Sequence, residues 1–236
     1  MRDSRHAAEE LDALHTRLLT MARLAEERLR QAIRGLVERD HALLADVGGG
    51  DAAINALQME IDDRCVKQIA LFQPVAVELR SVMSALKISA DLERIGDLAV
   101  NVAEVAQQYL SNPPVKPLID LPRMGDLAVN MLRRAIDAFV RRDVTAAQSV
   151  LRDDDWLDAF KEQIFRELLT FMLGAPHTIE PSVDLILISR HLERVGDHAT
   201  NIAEDVIFMV DGRDVRHGST IPIPDERRRP VRTPPA

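Results

Sequence analysis

The chain of 236 residues contains one segment twice, about one hundred residues apart. Residues 89–104 read SADLERIGDLAVNVAE, and residues 189–204 read SRHLERVGDHATNIAE. Ten of the sixteen positions are identical, and two more exchange Ile and Val. A duplicated segment of this length indicates a duplicated structural unit. The chain is therefore expected to fold as two similar halves.

The duplication extends upstream of this segment. Ile54 and Ile61 recur as Leu157 and Ile164 at an offset of 103 residues. Only 3% of the residues are aromatic, and the apolar content is mainly Leu, Ala, Val, Ile and Met. This composition is typical of packed helices rather than of sheets, so we expect an all-α protein.

Each half is predicted to contain three helices. Apolar residues three and four apart continue from Leu11 to Leu36 and indicate a first long amphipathic helix. Asp51 is suited to cap the second helix, and Pro74 is expected in the first turn of the third. The predicted architecture is two tandem three-helix bundles, residues 1–112 and 118–212, with six long helices at about 11–36, 51–72, 74–110, 120–141, 144–173 and 181–210.

The last segment, residues 213–236, differs in composition from the rest. It holds five of the twelve prolines and six Arg, three of them consecutive, and it is expected to be disordered. Cys65 is the single cysteine, which excludes an internal disulfide and fits a reducing compartment. The sequence contains no stretch typical of an export signal or a membrane span. A cytoplasmic protein without membrane insertion is expected.

The net charge of the chain is −8 although its last segment is basic. The region before residue 213 is therefore strongly acidic. Because DNA-binding surfaces neutralise phosphates with Lys and Arg, nucleic acid is not an expected partner.

The duplicated motif places a ladder of oxygen-bearing side chains on each predicted helix. At about 100° per residue, an apolar stripe that includes Leu92 and Leu192 is expected to face the core. The ladder lies nearly opposite that stripe and is expected to face away from the core. Its members are Glu93, Asp97, Asn101 and Glu104 in the first copy and Glu193, Asp197, Asn201 and Glu204 in the second.

Carboxylate and amide oxygens suit hard or borderline cations such as Mg²⁺, Mn²⁺ or iron. A neighbouring helix offers Asp154 and Asp158 in the second half, and Asp51 and Asn55 in the first. Because Asn55 is not a carboxylate, the second-half site is expected to hold metal more strongly. Two simpler interpretations stay open: the ladder is a solvated helix face, and Asp51 and Asp154 are only helix caps.

The two copies share a glycine and differ in their histidines. Gly96 and Gly196 stand in the middle of helices, where glycine costs about 1 kcal/mol relative to alanine, which indicates either close approach of a neighbouring helix or eased packing. His191 and His198 have no counterparts in the first copy and are expected to be surface histidines.

The two copies of Leu-Glu-Arg-Ile/Val-Gly-Asp, with residues 73–80 leading into the first, resemble the PhoU family of phosphate-signalling regulators over about residues 8–210. The resemblance implies a pair of three-helix bundles in a cytoplasmic, often dimeric, negative regulator of the phosphate-starvation response. Such proteins act between a Pst-type phosphate ABC transporter and a PhoR-type sensor histidine kinase.

The resemblance also implies multinuclear clusters of iron or zinc at Glu/Asp-x-x-x-Asp motifs. In this sequence the matching motifs are Glu93 with Asp97, Glu193 with Asp197 and Asp154 with Asp158. The first-half counterpart, Asp51 with Asn55, departs from that pattern.

Other functions are weaker alternatives. A carboxylate-bridged di-metal oxidase uses Glu-x-x-His on inward helix faces, whereas Gly96 and Gly196 stand three residues after Glu93 and Glu193. No nucleophile–base set or P-loop lysine is apparent, so an enzyme is not expected. A metal-free helical scaffold that docks a basic partner on the acidic face is the remaining alternative.

Overall fold

A computed structural model describes residues 2–48, 51–216 and 221–222, without the side chains of residues 2–5, 51 and 221–222. In this part of the chain six long helices confirm the all-α prediction. A short 3₁₀ turn, Pro176–Thr178, precedes the last helix. The helices are α1 (Arg2–Glu38), α2 (His41–Gly48), α3 (Asp51–Phe72), α4 (Val77–Leu110), α5 (Asp120–Arg141), α6 (Val144–Gly174) and α7 (Ile179–Asp211).

The short helix α2 was not predicted, and it shows how the two halves correspond. The backbone turns at Arg39, with φ of 55°, and at Arg142, with φ of 53°. Each turn is followed by an aspartate cap, because Asp40 accepts a bond from the amide of Leu43 and Asp143 from that of Ala146, both at 3.0 Å. Helices α2 and α3 together are therefore the counterpart of α6, divided by the glycine run that begins at Gly48.

Helices α4 and α7 lie side by side at the centre of the molecule and run antiparallel. Arg80 near the start of α4 contacts Met209 near the end of α7, and Asp91 contacts His198 further along. The predicted apolar stripes are confirmed as core, since all their members are at most 1% exposed: Leu92, Ile95, Ala99, Val102, Leu192, Val195, Ala199 and Ile202.

The remaining helices complete one bundle around each central helix. Helices α1, α2 and α3 pack against α4, whereas α5 and α6 pack against α7. Helix α1 also contacts α5. The apolar side chains of the described residues form one continuous core that includes both central helices.

Two chain segments differ from their predictions. Pro74 precedes α4 rather than lying in its first turn, because the backbone between the helices turns through positive φ at Gln73 and Ala76. After α7, Arg213–Asp214 (β1) pairs antiparallel with Ile221–Pro222 (β2), an element that the composition did not predict. The rest of the expected disordered segment, residues 217–220 and 223–236, lies outside the described residues.

Within the described residues, none of the helices combines the length and the apolar character that a membrane crossing requires.

The two glycines of the duplicated motif allow the outer helices to approach the central ones. A Cβ atom at Gly96 would lie 2.9 Å from Ile54 of α3, and one at Gly196 would lie 2.3 Å from Leu157 of α6. Of the two interpretations of these glycines, close helix approach is therefore the correct one.

Alanine at either glycine is expected to destabilise the protein, and more strongly at Gly196, where the contact is shorter. Ile54 and Leu157 are buried and have little room to move aside. Overpacking costs about 1–3 kcal/mol, and in the upper part of this range it outweighs the ~1 kcal/mol that alanine gains over glycine in a helix. Urea unfolding of Gly96→Ala and Gly196→Ala measures both effects. Gly48→Ala is the control, because an added Cβ there meets nothing within 4 Å. A Gly196→Ala variant as stable as the parent would contradict the expectation.

Candidate functional site

The second half of the chain gathers four carboxylates between α6 and α7. We call Asp154 and Asp158 of α6, with Glu193 and Asp197 of α7, the second acidic cluster. A lysine of α6 lies within it: the Lys161 ammonium donates to Asp158 Oδ1 at 2.8 Å and to Glu193 Oε1 at 2.6 Å. The cluster therefore joins the two helices through one cation.

The carboxylates of this cluster repel one another. Burial, followed by the charges of Asp197, Asp158 and Glu193, raises the pKa of Asp154 to about 6. Hydrogen bonds to Asp158 and Glu193 raise the pKa of the Lys161 ammonium above its usual range. More negative charge is thus present than Lys161 alone neutralises.

The first half carries a related but smaller group. We call Glu93 and Asp97 of α4, with Asn55 of α3, the first acidic cluster. Arg94 lies beside it, 3.6 Å from Glu93 and 3.5 Å from Asp97. The side chain of Asp51, a predicted ligand and cap, lies outside the described residues.

Only part of the ladder faces away from the core as predicted. Glu104, Asp197 and Asn201 are exposed, whereas the side chains of Glu93 and Glu193 are each only 20% exposed. In the second half α6 covers this side of α7, which brings Lys161 against Glu193. For Glu193 the prediction from helix angle alone was wrong because the flanking helix of the same bundle occupies that direction.

One further sequence interpretation of the site is corrected. Asp154 lies well inside α6 and is no cap, since Asp143 caps that helix. Asn201, a predicted metal ligand, donates through its amide nitrogen to Asp91 of α4 at 3.2 Å. Its first-half equivalent, Asn101, is half-buried on α4.

His198 joins the two bundles and is no surface histidine. Its Nδ1 lies 2.8 Å from Asp91 Oδ1, and its side chain is 18% exposed. His191 is also partly buried, and burial, then Arg194 and Arg190, lower its pKa. Sequence reasoning missed this contact, although a signal was present: both histidines differ from their first-half equivalents.

A second polar contact joins α4 to α7 nearer their ends. The Lys87 ammonium lies 2.9 Å from Asp205 Oδ1, and Ser84 donates to the Asp205 carbonyl at 3.1 Å. Burial raises the pKa of Asp205 even though Lys87 opposes the shift. These side chains hold the bundles in register and are structural rather than part of the acidic clusters.

The side chains of the acidic clusters are of types that bind metal ions, but their positions fit a metal site less well. Carboxylate oxygens of neighbouring helices are the ligands that hard divalent cations prefer. Among the side chains that the structure describes, however, no three Asp, Glu, His or Cys residues stand close enough together to hold a metal ion. In the second cluster Lys161 donates hydrogen bonds to two of the candidate ligands, Asp158 and Glu193.

The fold and the clusters define a class of protein: two three-helix bundles packed through antiparallel central helices, each with acidic residues beside its central helix. The model of the PhoU domain matches the chain twice, at residues 18–106 and 121–206. This protein belongs to the PhoU family.

Relatives extend over most of the chain. The phosphate-specific transport system accessory protein PhoU of Escherichia coli (strain K12) is 36% identical over 208 residues, 88% of this chain and 86% of that protein. A homolog from Caulobacter vibrioides is 39% identical, covering 88% of this chain and 90% of its own.

Two crystal structures have the same fold. PhoU from Pseudomonas aeruginosa gives a TM-score of 0.84 at 37% identity, covering 87% of this chain and 99% of that one. The phosphate transport system regulatory protein PhoU from Streptococcus pneumoniae gives 0.82 at 27% identity, covering 89% and 99%. The names of these relatives describe accessory and regulatory proteins, not enzymes.

Replacing Asp154 by Asn in chelator-treated protein is expected to raise Tm at pH 7 by about 2 °C or more. The pKa of about 6 in the folded state exceeds the ordinary value of 3.8. The unfolded chain therefore loses this proton first, and the contribution of Asp154 to stability falls as the pH rises from about 4 to 6.

The Asp154→Asn variant should lack this part of the pH dependence. Melting curves between pH 4 and 7 test the expectation, with Asp126→Asn, at an exposed position of α5, as the control. Identical pH profiles for Asp154→Asn and the parent would contradict it.

Proposed function

We propose that this protein is a negative regulator of the phosphate-starvation response and of phosphate uptake. It acts in the cytoplasm, as a homodimer, and it is an adaptor rather than an enzyme. Its partners are a Pst-type phosphate ABC transporter and a PhoR-type sensor histidine kinase. The observation that carries the proposal is the similarity, over 88% of the chain, to proteins named as accessories of the phosphate-specific transport system.

The acidic clusters are the surfaces that basic partners recognise in this proposal. Asp97 is 37% exposed and Asp197 is exposed, so a partner can reach both. Complementary charge between surfaces steers association and excludes wrong partners. The crowding of carboxylates around Asp154 supports this role, because a basic partner would relieve it.

The same clusters bind divalent metal in this proposal, iron or zinc, with Mn²⁺ or Mg²⁺ as further candidates. Glu93, Asp97 and Asp51 would supply oxygen ligands in the first half, and the four carboxylates of the second cluster would supply them in the other. A bound divalent cation would supply positive charge that joins each central helix to its neighbour. A partner docking on metal-free clusters is the competing form of the proposal.

Deleting the gene is the direct test of the regulatory role. Phosphate-starvation genes should then be expressed when phosphate is plentiful. Unchanged repression of these genes in the deletion strain would contradict the proposal.

Charge reversal tests whether the acidic clusters are needed for repression of the phosphate-starvation genes. Asp97→Lys with Asp197→Lys changes the local charge by four units, whereas Leu92 and Leu192 still hold the core. Exposed substitutions usually cost within about 0.5 kcal/mol, so the variant should be folded but unable to repress phosphate-starvation genes.

Two controls accompany the reversal. Asp126→Lys with Asp137→Lys makes the same charge change at exposed positions of α5 and should repress normally. Removal of residues 213–236 should also leave repression largely intact. If the charge-reversed cluster variant represses normally and the truncated protein does not, the regulatory surface lies in the C-terminal segment.

Bound metal is measured separately. Glu93→Ala with Asp97→Ala should lower the metal content of protein purified without added metal, and circular dichroism should remain helical because these side chains lie outside the apolar stripe. Equal metal content in the variant and the parent would favour the metal-free docking surface.

A further inference from the structure

The two acidic clusters differ at two linked positions. At the offset of 103 that relates α3 to α6, Asp158 corresponds to Asn55 and Lys161 corresponds to Gln58. The second half therefore has an additional acid and an additional base three residues apart, where the first half has two neutral amides. In the structure that acid and base are bonded, with Lys161 2.8 Å from Asp158.

The paired difference leaves the equivalent positions of the two halves with the same formal charge. The first half has the acidic residues Asp51, Glu93 and Asp97 at these positions. The second half has four acidic residues and Lys161. Each set of positions therefore carries −3, and the arginines at 94 and 194 are common to both copies. The lysine compensates for the carboxylate that the second cluster has in excess.

The position of the ammonium is that of a bridging cation. Lys161 extends from α6 and, besides its own-helix contact with Asp158, bonds Glu193 of α7 at 2.6 Å. It thus links the two helices through the residues that a metal would use. The Lys161 side chain is 34% exposed and that of Glu193 is 20% exposed, so water screens this contact only in part.

We propose that Lys161 is the resident cation of the second acidic cluster and that it excludes divalent metal from Asp158 and Glu193. The first half has the neutral Gln58 at the equivalent position and lacks this cation. This inference rests on the metal binding included in the proposed function and departs from it at the second cluster, where Lys161 offsets the advantage expected from the fourth carboxylate. A covalently attached ammonium is always present, so a metal ion must displace it from two charged hydrogen bonds.

Titration with Mn²⁺ alone tests the inference in the full-length protein. Lys161→Gln removes the cation and leaves four carboxylates, so it should bind Mn²⁺ at least about tenfold more tightly than the parent, the effect of roughly 1.4 kcal/mol. Lys161→Arg keeps the positive charge and should bind as the parent does. Adding Asp197→Asn to Lys161→Gln should abolish the gain, which assigns it to the second cluster.

Equal Mn²⁺ affinity of Lys161→Gln and the parent, or a gain that Asp197→Asn leaves unchanged, would overturn the inference. These outcomes are distinct from failure of the proposed function, which the deletion strain and the Glu93/Asp97 variant report.

The lysine can also be transferred to the other half. Asn55→Asp gives the first half an additional carboxylate without a lysine and should tighten Mn²⁺ binding. Asn55→Asp with Gln58→Lys recreates the second-half pair and should remove that gain, to the affinity of the parent or below it, because the new ammonium competes with the metal ion. Equal affinity of these two variants would also overturn the inference, and their comparison decides the question if Lys161→Gln fails to fold.

Discussion

The packing of α4 against α7 is the contact on which the rest of the structure depends. Each central helix buries an apolar stripe, and the other helices of its half complete the enclosure. Burial of large apolar side chains contributes about 1.5–3 kcal/mol each, so this antiparallel pair fixes the direction and rotation of both duplicated motifs. Once the apolar stripe is fixed, the position of Glu93, Asp97 and their second-half equivalents follows from it.

The second acidic cluster owes its charge density to close helix packing. A Cβ at Gly196 would lie 2.3 Å from Leu157 Cδ2 and 3.5 Å from Asp154 Oδ1, both of α6. The absence of a side chain at position 196 therefore lets α6 bring Asp154 close to Glu193 and Asp197 of α7. Gly196 thus contributes to the electrostatics of the cluster as well as to its packing, since partial burial and the neighbouring carboxylates together raise the pKa of Asp154.

Periodicity and internal duplication were sufficient to predict the six long helices and the buried stripes, because these depend on local spacing. At the two glycines they left close helix approach and eased packing as alternatives, between which the contacts with Ile54 and Leu157 decide. They were insufficient where a neighbouring helix determines the surroundings of a side chain. The angle of Glu193 on its own helix does not reveal that α6 covers it, and the spacing of Lys161 does not reveal its partner on α7. Helix α2 was missed because eight residues carry too little periodicity, although the Asp40 cap and buried Leu44 define it in three dimensions.

The polar contacts between α4 and α7 favour the packing of the first half against the second half over the packing of two identical halves. The positions equivalent to Lys87 and Asp205 are Leu187 and Val105, and those equivalent to Asp91 and His198 are His191 and Leu98. Two first halves paired in the same antiparallel register would set Lys87 against Val105 and Asp91 against Leu98, leaving charges without partners at a costly, poorly solvated interface. The two duplicated halves are therefore complementary rather than interchangeable, as the subunits of a heterodimer are.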